Sequence, residues 1–118
     1  MADTSLISQW SERQLQDALV EQLWVRGFLV HHCRPARTDQ GWRTPIQGDV
    51  GFPDIMAVGR GLLLVLELKS ERGRLTHAQE VWLHELEWML AGIAIVRVVR
   101  PSDYHELLDQ IDAEMGAR

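Results

Sequence analysis

The feature that most constrains the fold is a pair of strand-like segments on either side of Gly59-Arg60-Gly61. Asp54 to Val58 reads as one strand, and Leu62 to Lys69 as its partner. The second segment opens with an unbroken aliphatic run, Leu62 to Leu66, and then carries Glu67, Leu68 and Lys69. Residues two apart on a strand share a face, so Glu67 and Lys69 project together while Leu66 and Leu68 face the other side. The glycines predict a tight hairpin. If paired residue numbers sum to an odd value, such as 121 for Asp54 with Glu67, the turn centres on Arg60-Gly61 and both carboxylates fall on one face. An even sum sends them to opposite faces unless a bulge intervenes.

The remaining elements group around this hairpin. Ser11 to Gln14 has the form of a capping box, and Leu15, Ala18, Leu19 and Leu23 follow at helical spacing, with Gly27 as the stop. Phe28 to Cys33 reads as a strand, and Arg34 to Gly48 as a loop. A loop of that length is usually functional or mobile. Thr76 to Gln79 is a second capping box, opening a helix that runs to about Ala91 before Gly92. Ile93 to Val99 reads as a strand, Pro101-Ser102-Asp103 as a stop and cap, and Tyr104 to Met115 as an amphipathic helix. The order α-β-β-β-α-β-α implies an α/β fold, a mixed sheet flanked by helices with one more helix at the C-terminus.

The 118 residues suit a single domain spanning 1–118. The apolar fraction of 46% and charged fraction of 25% are those of a soluble globular chain. The lone Cys33 excludes an internal disulfide and a multi-cysteine zinc site. No signal peptide or membrane span is legible, so a cytoplasmic protein is expected. A formal charge of −5 argues against coating nucleic acid by charge alone, yet the basic residues cluster. Arg34, Arg37 and Arg43 fall in one predicted loop, Arg72 and Arg74 in another.

Two carboxylates a few Å apart repel each other, and a cation between them removes that penalty. Oxygen ligands with one or two carboxylates are what Mg²⁺ prefers. A lysine beside such a site orients water or offsets charge developing on phosphorus. Phosphodiester hydrolysis needs these parts and no protein nucleophile. A Glu-x-Lys triplet alone is equally what a solvated strand end looks like; here Pro53-Asp54, the hairpin spacing, the preceding helix and Gln79 all occur in order with it.

Taken together, Pro53-Asp54, Glu67-Leu68-Lys69 and the stretch GRLTHAQ resemble the PD-(D/E)xK nuclease superfamily, and more closely its VRR-NUC family, over roughly Ser11 to Asp103. The resemblance implies a restriction-endonuclease-like αβββαβ core and an Mg²⁺- or Mn²⁺-dependent endodeoxyribonuclease. In its stand-alone phage and bacterial form, it implies a homodimeric Holliday junction resolvase, serving DNA recombination and repair in a bacterial or phage-infected cell. It makes Asp54 and Glu67 metal ligands with the Leu68 backbone carbonyl, Lys69 the catalytic lysine, and Gln79 and Glu12 further site residues. Gln79 is also the capping partner of Thr76, and Glu12 also an acid suited to a first helical turn. Gln16 lies one turn after Glu12 on the same face, and Glu21 is the alternative acid.

Arg34, Arg37, Arg43, Arg72 and Arg74 are candidate phosphate contacts, and Trp42 a candidate stacking platform or a pin for its own loop. His31-His32-Cys33 hints at a transition metal, but adjacent histidines on a strand face opposite ways. The alternatives to a junction nuclease are a restriction-like or end- and flap-processing nuclease on the same scaffold, or a catalytically silent DNA-binding subunit. Finally, the helix after Thr76 is apolar at Ala78, Val81, Trp82, Leu83, Leu86, Trp88, Met89 and Leu90. These positions sweep roughly 220° against the ~100° stripe of a one-sided helix. A second subunit covering part of the Val81 to Leu90 surface is expected.

Overall fold

The computed structural model describes residues 4–32, 36–38, 41–43 and 46–116. It is a mixed α/β fold built on a four-stranded sheet flanked by helices. After a short helix α1 (Thr4–Ile7) come α2 (Glu12–Val25) and β1 (Leu29–His32). A small separate hairpin, β2 (Ala36–Thr38) and β3 (Gly41–Arg43), precedes β4 (Ile55–Gly59) and β5 (Leu62–Leu68). Then follow α3 (His77–Met89), β6 (Ala94–Val99), a 3₁₀ turn (Pro101–Asp103) and α4 (Tyr104–Gly116). The main sheet runs β1-β4-β5-β6, antiparallel except for the parallel β5–β6 pair.

Both expected capping boxes form: the Ser11 and Thr76 hydroxyls accept from the N–H of Gln14 and Gln79, and the two glutamines reach back to the cap N–H groups. Gly27, at φ 87°, ends α2 in the left-handed region that glycine enters without a Cβ penalty.

The β4–β5 ladder pairs Ile55 with Leu66 through Gly59 with Leu62, every pair summing to 121 as the two-residue turn requires. Arg60 and Gly61, at φ 53° and 75°, take the two left-handed positions of that turn. This register sorts the strands by face. Leu62, Leu64, Leu66 and Leu68 join Ile55 and Ala57 in the core with Leu15, Leu19 and Leu23 of α2 and Leu107 and Ile111 of α4. Each fully buried leucine contributes about 1.5–3 kcal/mol relative to exposure. Met56, Val65 and Glu67 belong to the opposite face, because they alternate with the core positions.

Two expectations need correction. The segment expected to be one irregular loop, Arg34 to Gly48, contains the β2–β3 hairpin, in which Arg37 pairs with Trp42 and Ala36 with Arg43. Three-residue strands show too little alternation to register as strands in a sequence. The helix α1 was also not expected; its four residues are too few for a visible period. Among the described residues, no helix is long and apolar enough to cross a membrane.

Candidate active site

The site forms where β4 begins and β5 ends. Asp54 lies one residue before β4, and its Oδ2 accepts a hydrogen bond from the Leu68 backbone N–H at 2.7 Å. On the other edge of β5, the Lys69 N–H donates to the Val99 carbonyl of β6 at 3.1 Å. Backbone groups of successive strand residues point to opposite edges, so Leu68 turns its N–H and its carbonyl toward Asp54. Carried past the end of the ladder, the β4–β5 register sets Pro53 opposite Leu68. Proline has no N–H with which to occupy the Leu68 carbonyl. Pro53 therefore cannot continue the ladder opposite Leu68.

Glu67 is 1% exposed, and neither carboxylate oxygen has a hydrogen-bond partner. A buried, unpartnered carboxylate is costly. Its pKa is pushed up to about 8, first by burial, then by the Asp54 charge and by a hydrogen bond to the Asp54 carboxylate that only the protonated acid can make, with Lys69 opposing. The Lys69 ammonium stands 4.0 Å from Glu67 Oε1, its side chain 12% exposed. At that distance it offsets part of the charge without satisfying the oxygen as a hydrogen bond would. Glu12, on the first turn of α2, also has its pKa raised, by burial and by Asp54, while Lys69 again opposes. Electrostatically, Glu12, Asp54, Glu67 and Lys69 form one group.

This donor chemistry suits a hard divalent cation. Two carboxylates and a backbone carbonyl offer oxygen only, and an added positive charge would relieve the burial of Glu67. Among the described residues, no three His, Cys, Asp or Glu side chains converge closely enough to hold an ion by themselves. The two strands bring Asp54, Glu67 and the Leu68 carbonyl to one place, and Glu12 joins them through its charge.

Other expected residues are placed as follows. Gln79 is engaged in the α3 cap, its Oε1 2.9 Å from the Thr76 N–H. The Gln16 amide nitrogen meets His32 Nδ1 at 3.0 Å, which brings α2 to the end of β1 one turn beyond Glu12. Glu21 takes no part in the group around Asp54 as a source of shift for Glu67. His31 and His32 pair with Met56 and Ile55 and so occupy opposite faces. Arg72 and Arg74 are exposed on the connection after Lys69. Arg37, Trp42 and Arg43 belong to the β2–β3 hairpin. Arg34 and Cys33 lie outside the described residues.

Two supports of the site were not evident from the sequence. Gly51, at φ 99°, lies so close to α3 that a Cβ there would meet Ala78 backbone atoms at 2.7 and 2.8 Å. The same strap is held by the Trp82 indole N–H, which donates to the Val50 carbonyl at 3.1 Å, and by edge-on contact of Phe52 with Trp82. These contacts fix the approach to Pro53-Asp54. The glycine was the available signal, since close backbone approach is one of the few things that requires it. The second support is Arg100, whose Nη1 lies 2.8, 3.2 and 2.7 Å from the carbonyls of Ser70, Glu71 and Gly73.

Compared with known proteins, the chain matches no family model and no curated sequence.

Proposed function

We propose that this chain is a metal-dependent DNA endonuclease of the PD-(D/E)xK type, acting on branched DNA such as a four-way junction. The observation that carries the reading is the buried Glu67 carboxylate with two unpartnered oxygens, beside Asp54 and 4.0 Å from Lys69. A stability-driven fold has little reason to keep so poorly compensated an acid there, whereas a site for an oxygen-seeking cation does. The order of α2, the antiparallel strands β1, β4 and β5, the crossover helix α3 and the parallel β6 supports the reading, being the order expected of a restriction-endonuclease-like core.

In this reading Asp54, Glu67 and the Leu68 carbonyl hold Mg²⁺ or Mn²⁺. Bound there, the ion supplies Lewis acidity toward the scissile phosphate. Asp54 is oriented by the Leu68 N–H, which donates to its Oδ2. To serve as a ligand there, Glu67 would release its proton to solvent. Lys69 orients the attacking water and offsets charge on the phosphate. Arg34, Arg37, Arg43, Arg72 and Arg74 engage the phosphate backbone. Trp42 offers a ring for an unstacked base.

A homodimer belongs to this proposal. Of the apolar positions on α3, only Leu83 is buried, while Trp88 and Met89 are 78% and 68% exposed. The cross-strand pair Leu29 and Val58 is exposed as well. A near-two-fold junction cut on two strands is matched by two sites related by a two-fold axis.

The test is cleavage of synthetic four-way junction, flap and linear duplex DNA with and without Mg²⁺. Paired incisions in the junction that require the cation are expected. Failure to cut any of the three substrates in Mg²⁺ or Mn²⁺ would overturn the reading.

A further inference from the structure

Arg100 follows β6 and lies 31 positions beyond Lys69 in the chain, yet it is built into the turn that follows Lys69. Its Nη1 is ringed by three main-chain carbonyls, those of Ser70, Glu71 and Gly73. A guanidinium is permanently charged, and a charged donor gives stronger hydrogen bonds than a neutral one. The turn closes on itself through Gly73 N–H to the Ser70 carbonyl at 3.2 Å. A further tie joins the same two segments, where the Ser102 N–H donates to Glu71 Oε2 at 3.1 Å. Arg100 is itself fixed by its own N–H, which donates to Asp103 Oδ2 at 2.9 Å.

The turn runs beside the Lys69 side chain. A Cβ built on Gly73 would crowd Ser70 Oγ at 2.9 Å and would stand at ordinary contact distance, 3.5 Å, from Lys69 Cδ, so the lysine stem runs alongside the turn about one methyl group away. On its other side Lys69 is anchored by its N–H to the Val99 carbonyl, the residue before Arg100. The lysine is thus clamped twice by the end of β6, once through its main chain and once through the wall beside its stem. A lysine has four rotatable bonds and reaches many positions when unconfined, and each ordered position costs side-chain entropy.

We propose that Arg100 is a positioning residue for Lys69: by gathering the Ser70, Glu71 and Gly73 carbonyls, it holds the turn that confines the Lys69 stem and keeps the ammonium at the reacting phosphate. This rests on the nuclease reading for its consequence in catalysis, though not for the clamp itself. Arg100 touches neither DNA nor cation in this account. Its loss leaves substrate binding in place and acts on the chemical step, where misplacement of a reacting group by about 1 Å costs on the order of 100-fold.

The experiment compares Arg100→Gln and Arg100→Lys with the full-length wild type. Single-turnover cleavage of a synthetic four-way junction in Mg²⁺, junction affinity in Ca²⁺, and amide hydrogen exchange over residues 69–74 are measured on each. Arg26→Gln, which removes the Arg26–Asp112 ion pair at the far end of α2, serves as a control for general destabilisation. Arg100→Gln is expected to slow cleavage about 10- to 100-fold with affinity within about twofold, and to speed exchange in the turn. Arg100→Lys should recover part of the rate, because an ammonium still donates to two or three carbonyls. Arg26→Gln should lower the melting temperature without slowing cleavage. Faster exchange in the turn with an unchanged cleavage rate would overturn the positioning role, and unchanged exchange would overturn the clamp. A wild type that cuts no DNA would instead defeat the nuclease reading, and exchange would still decide whether Arg100 orders the turn.

Discussion

Asp54 accepts the backbone N–H of Leu68 at 2.7 Å, so the first acid of the site is oriented by the strand that carries the second. Replacing Asp54 by Asn keeps an oxygen for that hydrogen bond and removes the charge. Asp54→Asn, and likewise Lys69→Ala, should abolish cleavage while leaving melting temperature and junction affinity close to wild type. Cleavage assays beside a thermal melt of each purified variant check this; near-wild-type cutting by either would contradict the assignment.

Glu67 gives the chain a pH signature. Its carboxyl titrates near pH 8 when folded against 4.5 ordinarily, so between those values the folded state holds a proton that the unfolded chain has released. Stability therefore falls as pH rises through that window, the folded state being the one that binds more protons. The raised pKa of Glu12 acts in the same direction. In metal-free buffer the melting temperature should decline from about pH 5 to about pH 8. Glu67→Gln should flatten most of that slope. Added Mg²⁺ should restore stability most strongly at the alkaline end, because binding must displace the proton. Scanning calorimetry across pH with and without the cation measures all three effects.

Gly51→Ala tests the strap. The residue sits at φ 99°, and the added methyl would meet Ala78 backbone atoms at 2.7 and 2.8 Å, so both strain and contact oppose it. A loss of about 1–3 kcal/mol is expected. Because the strap leads directly into Pro53-Asp54, Mg²⁺-dependent stabilisation should weaken as well. Denaturant melts in EDTA and in Mg²⁺ separate the two contributions. A variant as stable as wild type, with the same response to Mg²⁺, would show that the strap does not position Asp54.

The exposed apolar face predicts association. Light scattering at micromolar concentration should give the mass of a dimer. Trp88→Lys should yield a monomer with unchanged circular dichroism, since Trp88 is largely outside the core. A wild-type monomer that still makes paired cuts in a junction would refute the argument from symmetry.

Much of this arrangement was legible in the sequence where local chemistry is strict. A two-residue turn at Arg60-Gly61 allows one register, and that register brings Asp54 and Glu67 together. Capping boxes at Ser11 and Thr76 are four-residue signals, and both formed. The excess apolar surface of α3 was likewise readable as more than one face could bury. The β2–β3 hairpin was not, because three-residue strands rich in Arg, Thr and Gly carry no hydrophobic alternation. Arg100 was equally invisible, since its partners are main-chain carbonyls and any residue supplies those. The cap geometry of Gln79 was foreseen together with a site role, and the hydrogen bond to Thr76 is the one the folded chain makes.

The parallel pairing of β5 with β6 orders events during synthesis. The β4–β5 hairpin brings Asp54 and Glu67 together from nearby stretches of chain, and such local pairings form early. The clamp on Lys69 needs Val99 and Arg100, which leave the ribosome only after all of α3. A nascent chain thus acquires its two acids well before its lysine is held. On the proposed nuclease reading, a nascent chain that ends before Val99 and Arg100 should carry both acids yet cut no DNA.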